Sequence, residues 1–249
     1  MNNLPKIKKH SVTPRKAIAI GGGLLRVGDT LPIDQFIVKE SGKKNPAVLF
    51  MPTASGDLPA YISAFTRVYR KLGCQVNVLR LASNRKMNEQ KIKSLIAVAD
   101  IIYIGGGNYN FLLSTWKKWG IIPLIKSAYK KGAVLTGLSA GCAALYQHVV
   151  DEEDNKPCRL KRGIGILHGV VIPHYKTSST ILPNNFLSSI RKKNTLVTAI
   201  EDNCGVFYKN KKLQGAIMSK GGRAFTIWPP YVKKEAVNLY IHKNKSPNS

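Results

Sequence analysis

Short, continuous apolar segments alternate with amphipathic segments through the first half of the chain. Each apolar segment is four or five residues long, as expected for buried strands, and they occupy residues 17–20, 47–51, 76–79, 101–104 and 133–136. Between them, apolar residues recur at helical spacing in residues 57–72, 87–99, 111–116 and 122–130. Strands that alternate with helices in this way form a parallel sheet covered on both faces. We therefore predict an α/β fold with a mostly parallel sheet and helices on both faces.

The second half of the chain is less regular. Strands are predicted over residues 170–172 and 197–200, a helix over residues 182–193, and the start of a hairpin over residues 205–208. Residues 1–15 are polar, basic and interrupted by proline, which is typical of a flexible tail. Because no linker or internal repeat follows that tail, residues 16–249 are predicted to form a single α/β domain.

The chain is strongly basic, with 39 Lys and Arg against 13 Asp and Glu and a net charge of +26. The lysines are scattered and no helix-turn-helix or aromatic-basic platform accompanies them, so we expect contact with nucleic acid only through non-specific charge. No apolar segment is long enough to cross a bilayer, and no secretory signal follows the first lysines. We therefore expect a cytoplasmic protein without a membrane partner, either a monomer or a homodimer.

Cysteine and histidine form no recognisable metal site in the sequence. The four cysteines lie far apart without a Cys-x-x-Cys pair, and the five histidines include no His-Glu-x-x-His arrangement. We expect reduced thiols, no bound metal and no cofactor.

A serine flanked by small residues follows the fifth predicted strand. Gly137-Leu138-Ser139-Ala140-Gly141 matches the Gly-x-Ser-x-Gly pattern of a nucleophile elbow, in which a sharp turn between a strand and a helix exposes the serine hydroxyl. Bulky neighbours would clash in such a turn, which explains the small residues. The helix predicted over residues 142–147 would direct free N–H groups toward a developing oxyanion. Ser139 is therefore the predicted nucleophile.

A serine hydroxyl needs a base within hydrogen-bonding distance to become an effective nucleophile. His174 follows the strand predicted over residues 170–172, at the sheet edge where ligands gather, and is the preferred base. His148 is expected on or just past the helix after Ser139, pointing away, and His168 is expected before the strand, at its wrong end. The other histidines lie in the terminal segments.

A carboxylate is expected to orient the imidazole of that base. Two acidic clusters qualify, one after the strand predicted over residues 197–200 and one in residues 151–154. Asp202 is the first choice, because a strand end would carry it to the edge of the sheet. The alternatives are Glu201, Asp151, Glu152 and Asp154.

Two glycine-rich turns follow predicted strands. Gly105-Gly106-Gly107-Asn108 lacks the lysine and hydroxyl of a P-loop and the spacing of a dinucleotide fingerprint. Its N–H groups could instead complete an oxyanion hole together with the N–H group of Ala140. Gly21-Gly22-Gly23 is interpreted as a tight turn that is needed only for packing.

Three motifs taken together resemble the dipeptidase E family of serine peptidases, which includes aspartyl dipeptidases and is related to the cyanophycinases. The motifs Ile104-Gly105-Gly106-Gly107-Asn108, Gly137-Leu138-Ser139-Ala140-Gly141 and Pro173-His174-Tyr175 occur in the family's order and at similar separation, and the resemblance covers residues 17–207. It implies a class I glutamine amidotransferase-like fold, which is a flavodoxin-like three-layer sandwich.

The same resemblance implies a role for each candidate residue. Ser139 would be the nucleophile, His174 the base, and the N–H groups of Gly107 and Ala140 the oxyanion hole. An acidic residue matching Asp202, or one in residues 151–154, would complete the triad. The implied reaction is hydrolysis of a short peptide through an acyl-enzyme.

The sequence departs from the family close to the histidine. Lys176 occupies a position that is often acidic in relatives. Residues 177–190 lack the arginine with which the family's aspartyl dipeptidases hold a substrate carboxylate, and Arg191 is the first arginine to follow. These departures weaken the case for aspartyl specificity but not the prediction that short peptides are hydrolysed, and we regard Arg191 and Asn108 as further candidates for substrate binding.

Two other classes of function remain open. Within the hydrolases, the alternatives are a cyanophycinase-like enzyme and an amidotransferase-like enzyme that uses the thiol of Cys142, one helical turn beyond Ser139. A non-catalytic protein with the same fold could bind nucleic acid through its positive charge.

Overall fold

The computed structural model describes residues 13–83, 87–151, 159–176, 188, 195–228, 233–238 and 240. Every helix within these ranges is too short or too polar to span a lipid bilayer. The strands, in chain order, are β1 (Lys16–Ile20), β2 (Ala47–Met51), β3 (Gln75–Val78), β4 (Ile101–Ile104), β5 (Val134–Leu138), β6 (Tyr146–Asp151), β7 (Arg159–Arg162), β8 (Leu167–Ile172), β9 (Val197–Ile200), β10 (Cys204–Lys209), β11 (Lys212–Met218), β12 (Ala224–Trp228) and β13 (Lys233–Ala236). The helices are α1 (Leu31–Glu40), α2 (Pro59–Lys71), α3 (Glu89–Ala97), α4 (Tyr109–Lys118), α5 (Ile122–Lys130) and α6 (Ala140–Leu145).

Part of the sequence prediction falls outside these ranges. Residues 1–12 of the predicted tail lie outside the described residues. The helix predicted over residues 182–193 also lies outside them, apart from Ser188.

A central sheet contains the strands in the spatial order β11-β10-β1-β5-β4-β2-β3. The five strands from β1 to β3 in this order run parallel, whereas β10 pairs with β1 antiparallel and continues into a hairpin with β11. This confirms the predicted mostly parallel sheet. Every residue of β4 and β5 is buried, because helices cover the sheet on both faces. That double burial explains why these strands appear in the sequence as continuous apolar segments rather than alternating ones.

Helices lie on both faces of the central sheet, as predicted. On one face, α1 and α2 pack against β1 and β2 in a core that includes Ile33, Ile37, Phe65 and Tyr69. On the other face, α3, α4, α5 and α6 contribute to a second core that includes Ile96, Leu112, Trp116, Ile125 and Leu145. α1 has no counterpart in the sequence prediction, although Pro32 in its first turn is a favoured residue at that position.

A second sheet has the strand order β13-β12-β9-β8-β6-β7 and is absent from the sequence prediction. β6, β8 and β9 run parallel, and the outer strands pair antiparallel with their neighbours. β7 reads Arg-Leu-Lys-Arg and β13 reads Lys-Lys-Glu-Ala, so neither carries enough apolar residues to be recognised as a strand.

The segment that follows the serine turn differs from its prediction. α6 spans Ala140–Leu145 and Tyr146 already begins β6, in place of the helix predicted over residues 142–147. His148 therefore lies in a strand, opposite Arg162, and His168 lies inside β8 rather than before it. The consecutive β-branched residues Val149 and Val150 favour a strand over a helix at this position.

The two sheets meet where β1 and β9 end. Only residues 201–203 separate β9 in the second sheet from β10 in the central sheet. Within this connection, Gly22 and Asp202 form a parallel bridge, and the N–H group of Asn203 donates to the carbonyl oxygen of Gly22 at 3.0 Å. The N–H group of His174 donates to the carbonyl oxygen of Gly21 at 3.3 Å, so the residues that follow β8 reach the same junction.

Candidate active site

Ser139 sits in a strained turn between β5 and α6. Its φ of 54° and ψ of −112° place a non-glycine residue in a region that is rarely populated, as expected for a nucleophile elbow. A Cβ atom on Gly137 would lie 2.3 Å from the carbonyl carbon of Gly141, and one on Gly141 would lie 2.3 Å from the carbonyl oxygen of Ile104. The turn therefore requires the small residues that surround the serine.

The imidazole of His174 lies next to the hydroxyl of Ser139. The distance from Nε2 to the serine Oγ is 2.7 Å, which is a normal hydrogen-bond length. His174 follows β8 by one intervening residue and has a φ of 54°, so its backbone turns sharply at the sheet junction. About half of its side chain is exposed, which leaves the imidazole open to a substrate.

Asp202 lies on the opposite side of the same imidazole. Its Oδ1 atom is 2.6 Å from Nδ1 of His174. Because a carboxylate can only accept a hydrogen bond, Nδ1 carries the proton and Nε2 of the neutral ring accepts the proton of the serine hydroxyl. Ser139, His174 and Asp202 thus form a continuous hydrogen-bonded line with the polarity that a general base requires.

Glu201, one of the alternative acids, is not part of this line. The carboxylate of Glu201 instead contacts Arg223, the residue before β12, and accepts hydrogen bonds from its backbone N–H group at 3.0 Å and from its Nε at 3.3 Å. Asp151 is the last residue of β6, and its side chain lies outside the described residues, as do Glu152, Asp154 and Arg191.

Two backbone N–H groups next to the serine lack a hydrogen-bond acceptor. In the described part of the chain, neither the N–H group of Gly107 nor that of Ala140 donates to a protein atom. Gly107 has a φ of 139°, and a Cβ atom there would lie 2.2 Å from the carbonyl oxygen of Ala54. A Cβ atom on the preceding Gly106 would lie 3.2 Å from Cβ of Ser139, so the glycine turn packs directly against the elbow. Both donors are therefore available for a developing oxyanion.

Asn108 holds this glycine turn in place. Its side-chain oxygen accepts a hydrogen bond from the N–H group of Phe111 at 2.9 Å and so caps α4. Its own N–H group donates to the carbonyl oxygen of Ala54 at 2.7 Å. Asn108 was a candidate for substrate binding, and in the structure its side chain and its N–H group both form hydrogen bonds within the protein.

Gly22 is a residue of the site that the sequence interpretation missed. A Cβ atom there would lie 2.0 Å from Oδ1 of Asp202 and 2.5 Å from Cε1 of His174. The position therefore has to be glycine for the acid and the imidazole to meet, and the interpretation of Gly21-Gly22-Gly23 as a turn needed only for packing is wrong. The sequence feature that could have indicated this role of Gly22 is the run of three glycines directly after the first strand.

A cavity of about 680 Å³ opens beside Ser139 and His174. Its walls include the glycine turn and residues before α1 and in α2, among them Leu24, Arg26, Leu58 and Tyr61. Burial raises the pKa of Tyr61 to about 12, so its hydroxyl stays protonated at neutral pH. The volume lies within the range of sites that enclose small organic ligands.

The thiol of Cys142 is not available as a nucleophile. Cys142 is fully buried beneath the elbow, and burial raises the pKa of its thiol, so it cannot supply the thiolate that an amidotransferase-like reaction needs. Among the described residues, no group of three or more His, Cys, Asp or Glu side chains is arranged to hold a metal ion.

Comparison with known proteins identifies relatives that are named as peptidases. The model of peptidase family S51 matches residues 17–215. The uncharacterized peptidase YgaJ of Bacillus subtilis strain 168 is 32% identical over 216 residues, which cover 84% of this chain and 89% of that protein. The uncharacterized peptidase Lmo0363 of Listeria monocytogenes is 32% identical over 115 residues, which cover 45% of this chain and 54% of that protein.

Solved structures of similar shape carry peptidase names. A peptidase from an acI-B1 actinobacterium matches with a TM-score of 0.72 and 16% identity, covering 92% of this chain and 96% of that chain. A putative peptidase E protein from Listeria monocytogenes EGD-e matches with a TM-score of 0.60 and 20% identity, covering 83% and 99%. These similarities establish the shared α/β fold.

Proposed function

Because the chain belongs to peptidase family S51 and is a serine peptidase, we propose that it hydrolyses short peptides in the manner of a dipeptidase, with Ser139, His174 and Asp202 as its catalytic triad. The observation that supports this assignment is the hydrogen-bonded line, in which Nε2 of His174 lies 2.7 Å from the serine hydroxyl and Nδ1 lies 2.6 Å from Asp202.

The first half of the reaction acylates Ser139. His174 accepts the proton of the serine hydroxyl while Oγ attacks the scissile carbonyl carbon, and Asp202 stabilises the resulting imidazolium. The N–H groups of Gly107 and Ala140 donate to the oxyanion that develops on the carbonyl oxygen. His174 then gives its proton to the leaving amine, and the peptide bond breaks.

The second half of the reaction releases the acyl group. A water molecule takes the place of the departed amine, and His174 removes its proton as it attacks the ester carbonyl. Collapse of the second tetrahedral intermediate returns the proton to Ser139 and frees the new carboxylate. The half-exposed position of His174 supports this step, because water can reach the imidazole.

Short peptides suit the dimensions of the cavity. A volume of about 680 Å³ lies in the middle of the range for sites that take ligands of a few hundred daltons. Residues 177–190 lack the arginine with which the family's aspartyl dipeptidases hold a substrate carboxylate, so we propose a dipeptidase-like activity that is not restricted to aspartyl residues.

Covalent labelling and substitution of Ser139 test the proposal together. A serine-directed phosphonate is expected to modify Ser139, and Ser139→Ala is expected to lower kcat by on the order of 10⁶-fold while the melting temperature stays nearly unchanged. The readout is hydrolysis of a dipeptide library combined with mass spectrometry of the labelled peptide.

Ser114→Ala is the matched control. Ser114 lies on α4, where its hydroxyl only donates to the carbonyl oxygen of Phe111 within the same helix. This variant should keep full activity and full labelling. A Ser139→Ala protein that still hydrolyses the peptides would disprove the assignment.

A further inference from the structure

The segment that begins α2 lines one side of the active-site cavity with aliphatic and aromatic side chains only. These are Leu58, which directly precedes α2, and Ala60, Tyr61 and Ala64 within it, and we call them the α2 wall. Apart from the hydroxyl of Tyr61, the α2 wall offers no hydrogen-bonding side-chain atom. A polar side chain of a substrate would lose its water there without regaining its hydrogen bonds, whereas an aliphatic side chain would gain from burial.

The α2 wall lies next to the glycine turn that carries the candidate oxyanion donor. A Cβ atom on Gly105 would lie 3.1 Å from Cε1 of Tyr61, so the aromatic ring packs against the start of that turn. In the proposed reaction, the substrate residue that donates the scissile carbonyl holds its oxygen at Gly107, and its side chain is attached beside that carbonyl. The leaving amine instead faces Nε2 of His174. The α2 wall therefore adjoins the acyl side of the scissile bond.

Leu58 occupies a position where a leucine does not support the helix. It is the N-cap residue of α2, and its side chain accepts no hydrogen bond from the first turn. α3 and α4 begin instead with Asn88 and Asn108, whose side chains accept hydrogen bonds from backbone N–H groups. Leu58 is also 52% exposed, so burial in the core does not explain it either. A residue that departs from a local preference without a structural gain is expected where function requires it.

We propose that the α2 wall binds a large apolar side chain on the acyl side of the substrate, so that the enzyme prefers short peptides whose N-terminal residue is aliphatic or aromatic. The inference rests on the proposed function, since it assigns the specificity of the same site. Leu24, which is 54% exposed, and Leu138 extend the apolar surface of this cavity. Pockets that enclose small ligands are lined mainly by such side chains, with a few polar groups that fix the orientation.

Two pairs of dipeptides test the preference and its position. The first pair is Leu-Ala and Asn-Ala, and the second pair is Ala-Leu and Ala-Asn. The side chains of leucine and asparagine have nearly the same shape and neither is charged, so the members of a pair differ mainly in polarity. The wild-type enzyme should cleave Leu-Ala with a kcat/KM about 10- to 100-fold above that for Asn-Ala. The second pair should show a smaller ratio.

Leu58→Asn tests the α2 wall itself. The substitution should lower the ratio of kcat/KM for Leu-Ala to that for Asn-Ala by about 10-fold, because an amide replaces an aliphatic contact. It also supplies the side-chain cap that α2 lacks, so the melting temperature should stay close to that of the wild type. Both peptides are measured on one preparation, so a change in the folded fraction cannot alter the ratio. Leu58→Met keeps the volume and the apolar character and should retain most of the ratio.

Val98→Asn is the matched control. Val98 is 61% exposed and follows α3, which packs on the opposite face of the central sheet from α2. The change therefore replaces an exposed aliphatic side chain by the same amide at a distance from the cavity. Its ratio for the first pair should equal that of the wild type.

Four results would overturn the inference. They are a wild-type ratio near one in the first pair, a preference confined to Ala-Leu in the second pair, a ratio that Leu58→Asn leaves unchanged, and an equal loss of the ratio in Val98→Asn. If Ser139 is labelled by the phosphonate but none of the four peptides is hydrolysed, the inference alone fails. If Ser139 also resists the phosphonate, the proposed function fails and the inference fails with it.

Discussion

Asp202 and Glu201 are neighbours in the chain, yet their side chains have different partners. Asp202 contacts the imidazole of His174 at 2.6 Å, whereas Glu201 contacts Arg223. In an extended segment, successive side chains point to opposite sides, so only one of two adjacent acids can reach the histidine. Sequence reasoning ranked Asp202 first because it follows a strand, but it could not decide between the two orientations.

These neighbours provide a matched pair of substitutions. Asp202→Asn should lower kcat by about 10³- to 10⁴-fold, because an amide no longer holds the imidazole in the tautomer that accepts the serine proton. Glu201→Gln should leave kcat within a few-fold of the wild type. Steady-state kinetics with one peptide measures both, and the reverse order of the two losses would identify Glu201 as the orienting acid.

Asp34 is a buried acid that accepts hydrogen bonds from two uncharged hydroxyl groups. It accepts hydrogen bonds from the hydroxyl groups of Thr30 and Tyr69, both at 2.8 Å, and its side chain is almost completely buried. Burial raises its pKa from 3.8 to about 7. The folded protein therefore binds a proton at this site between about pH 4 and pH 7 that the unfolded chain has released.

The sign of this linkage predicts how stability depends on pH. The stabilisation from protonated Asp34 is fully present below the unfolded pKa and is lost as the pH rises through the folded pKa. Asp34 should thus lower the free energy of unfolding by up to about 1.4 kcal/mol per pH unit between about pH 4 and pH 7. Asp34→Asn should remove that contribution. Urea unfolding of both proteins across this range provides the measurement, and identical slopes would contradict the prediction.

At the scale of elements, the junction between the two sheets brings the candidate site together. Ser139 directly follows β5 of the central sheet, His174 follows β8 of the second sheet, and the connection from β9 to β10 contains Asp202. Gly22, at the end of β1, leaves the space in which the acid and the imidazole meet. The site therefore depends on how closely the ends of β1 and β9 approach each other.

Gly22→Ala tests that dependence. The added methyl group would lie 2.0 Å from the Asp202 carboxylate and would displace it or the imidazole. Because a shift of about 1 Å in a reacting group can cost about 100-fold in rate, kcat should fall by at least that factor. The measurement is dipeptide hydrolysis alongside a thermal melt.

Gly42→Ala is the matched control for this change. Gly42 has a φ of 68° with no atom within 4 Å of an added Cβ, so alanine there strains the backbone without touching the site. Its melting temperature should fall while its activity remains. Equal activity of Gly22→Ala and the wild type would show that the close approach has no catalytic role.

The sequence predicted the elements of the central sheet well and those of the second sheet poorly. β2 and β4 match their predicted limits, because both are buried on two faces and their apolar residues are continuous. β7 and β13 consist largely of charged residues, and β6 follows a short helix without an intervening turn residue. Their strand structure depends on pairing with distant neighbours, which local patterns do not record.

The same contrast holds for the candidate site. Ser139 has a local signature, because its turn demands small neighbours, and His174 and Asp202 were recognisable from the strands before them. Gly22 carries no comparable signature, since its importance arises from the close approach of Asp202 and His174 across the junction. Such contacts become visible only once the chain is folded.

At the scale of the whole molecule, the net charge of +26 has a consequence that is independent of the active site. A surface with this excess of cations releases counterions from any polyanion, so the protein should bind unrelated DNA without sequence preference and lose that affinity steeply as salt rises. Titration of two unrelated duplexes at increasing salt tests this. Binding that depends on the duplex sequence, or that withstands high salt, would instead support a nucleic-acid function.

The division of the candidate triad between two sheets also affects when the enzyme first becomes active. A growing chain that has been synthesised just past β5 already contains Ser139, the candidate nucleophile. It still lacks His174 and Asp202, the candidate base and acid. Because both belong to segments that are synthesised later, a chain that ends between β5 and β8 cannot assemble the candidate triad. The proposed activity therefore requires that the second sheet has formed and packed against the first.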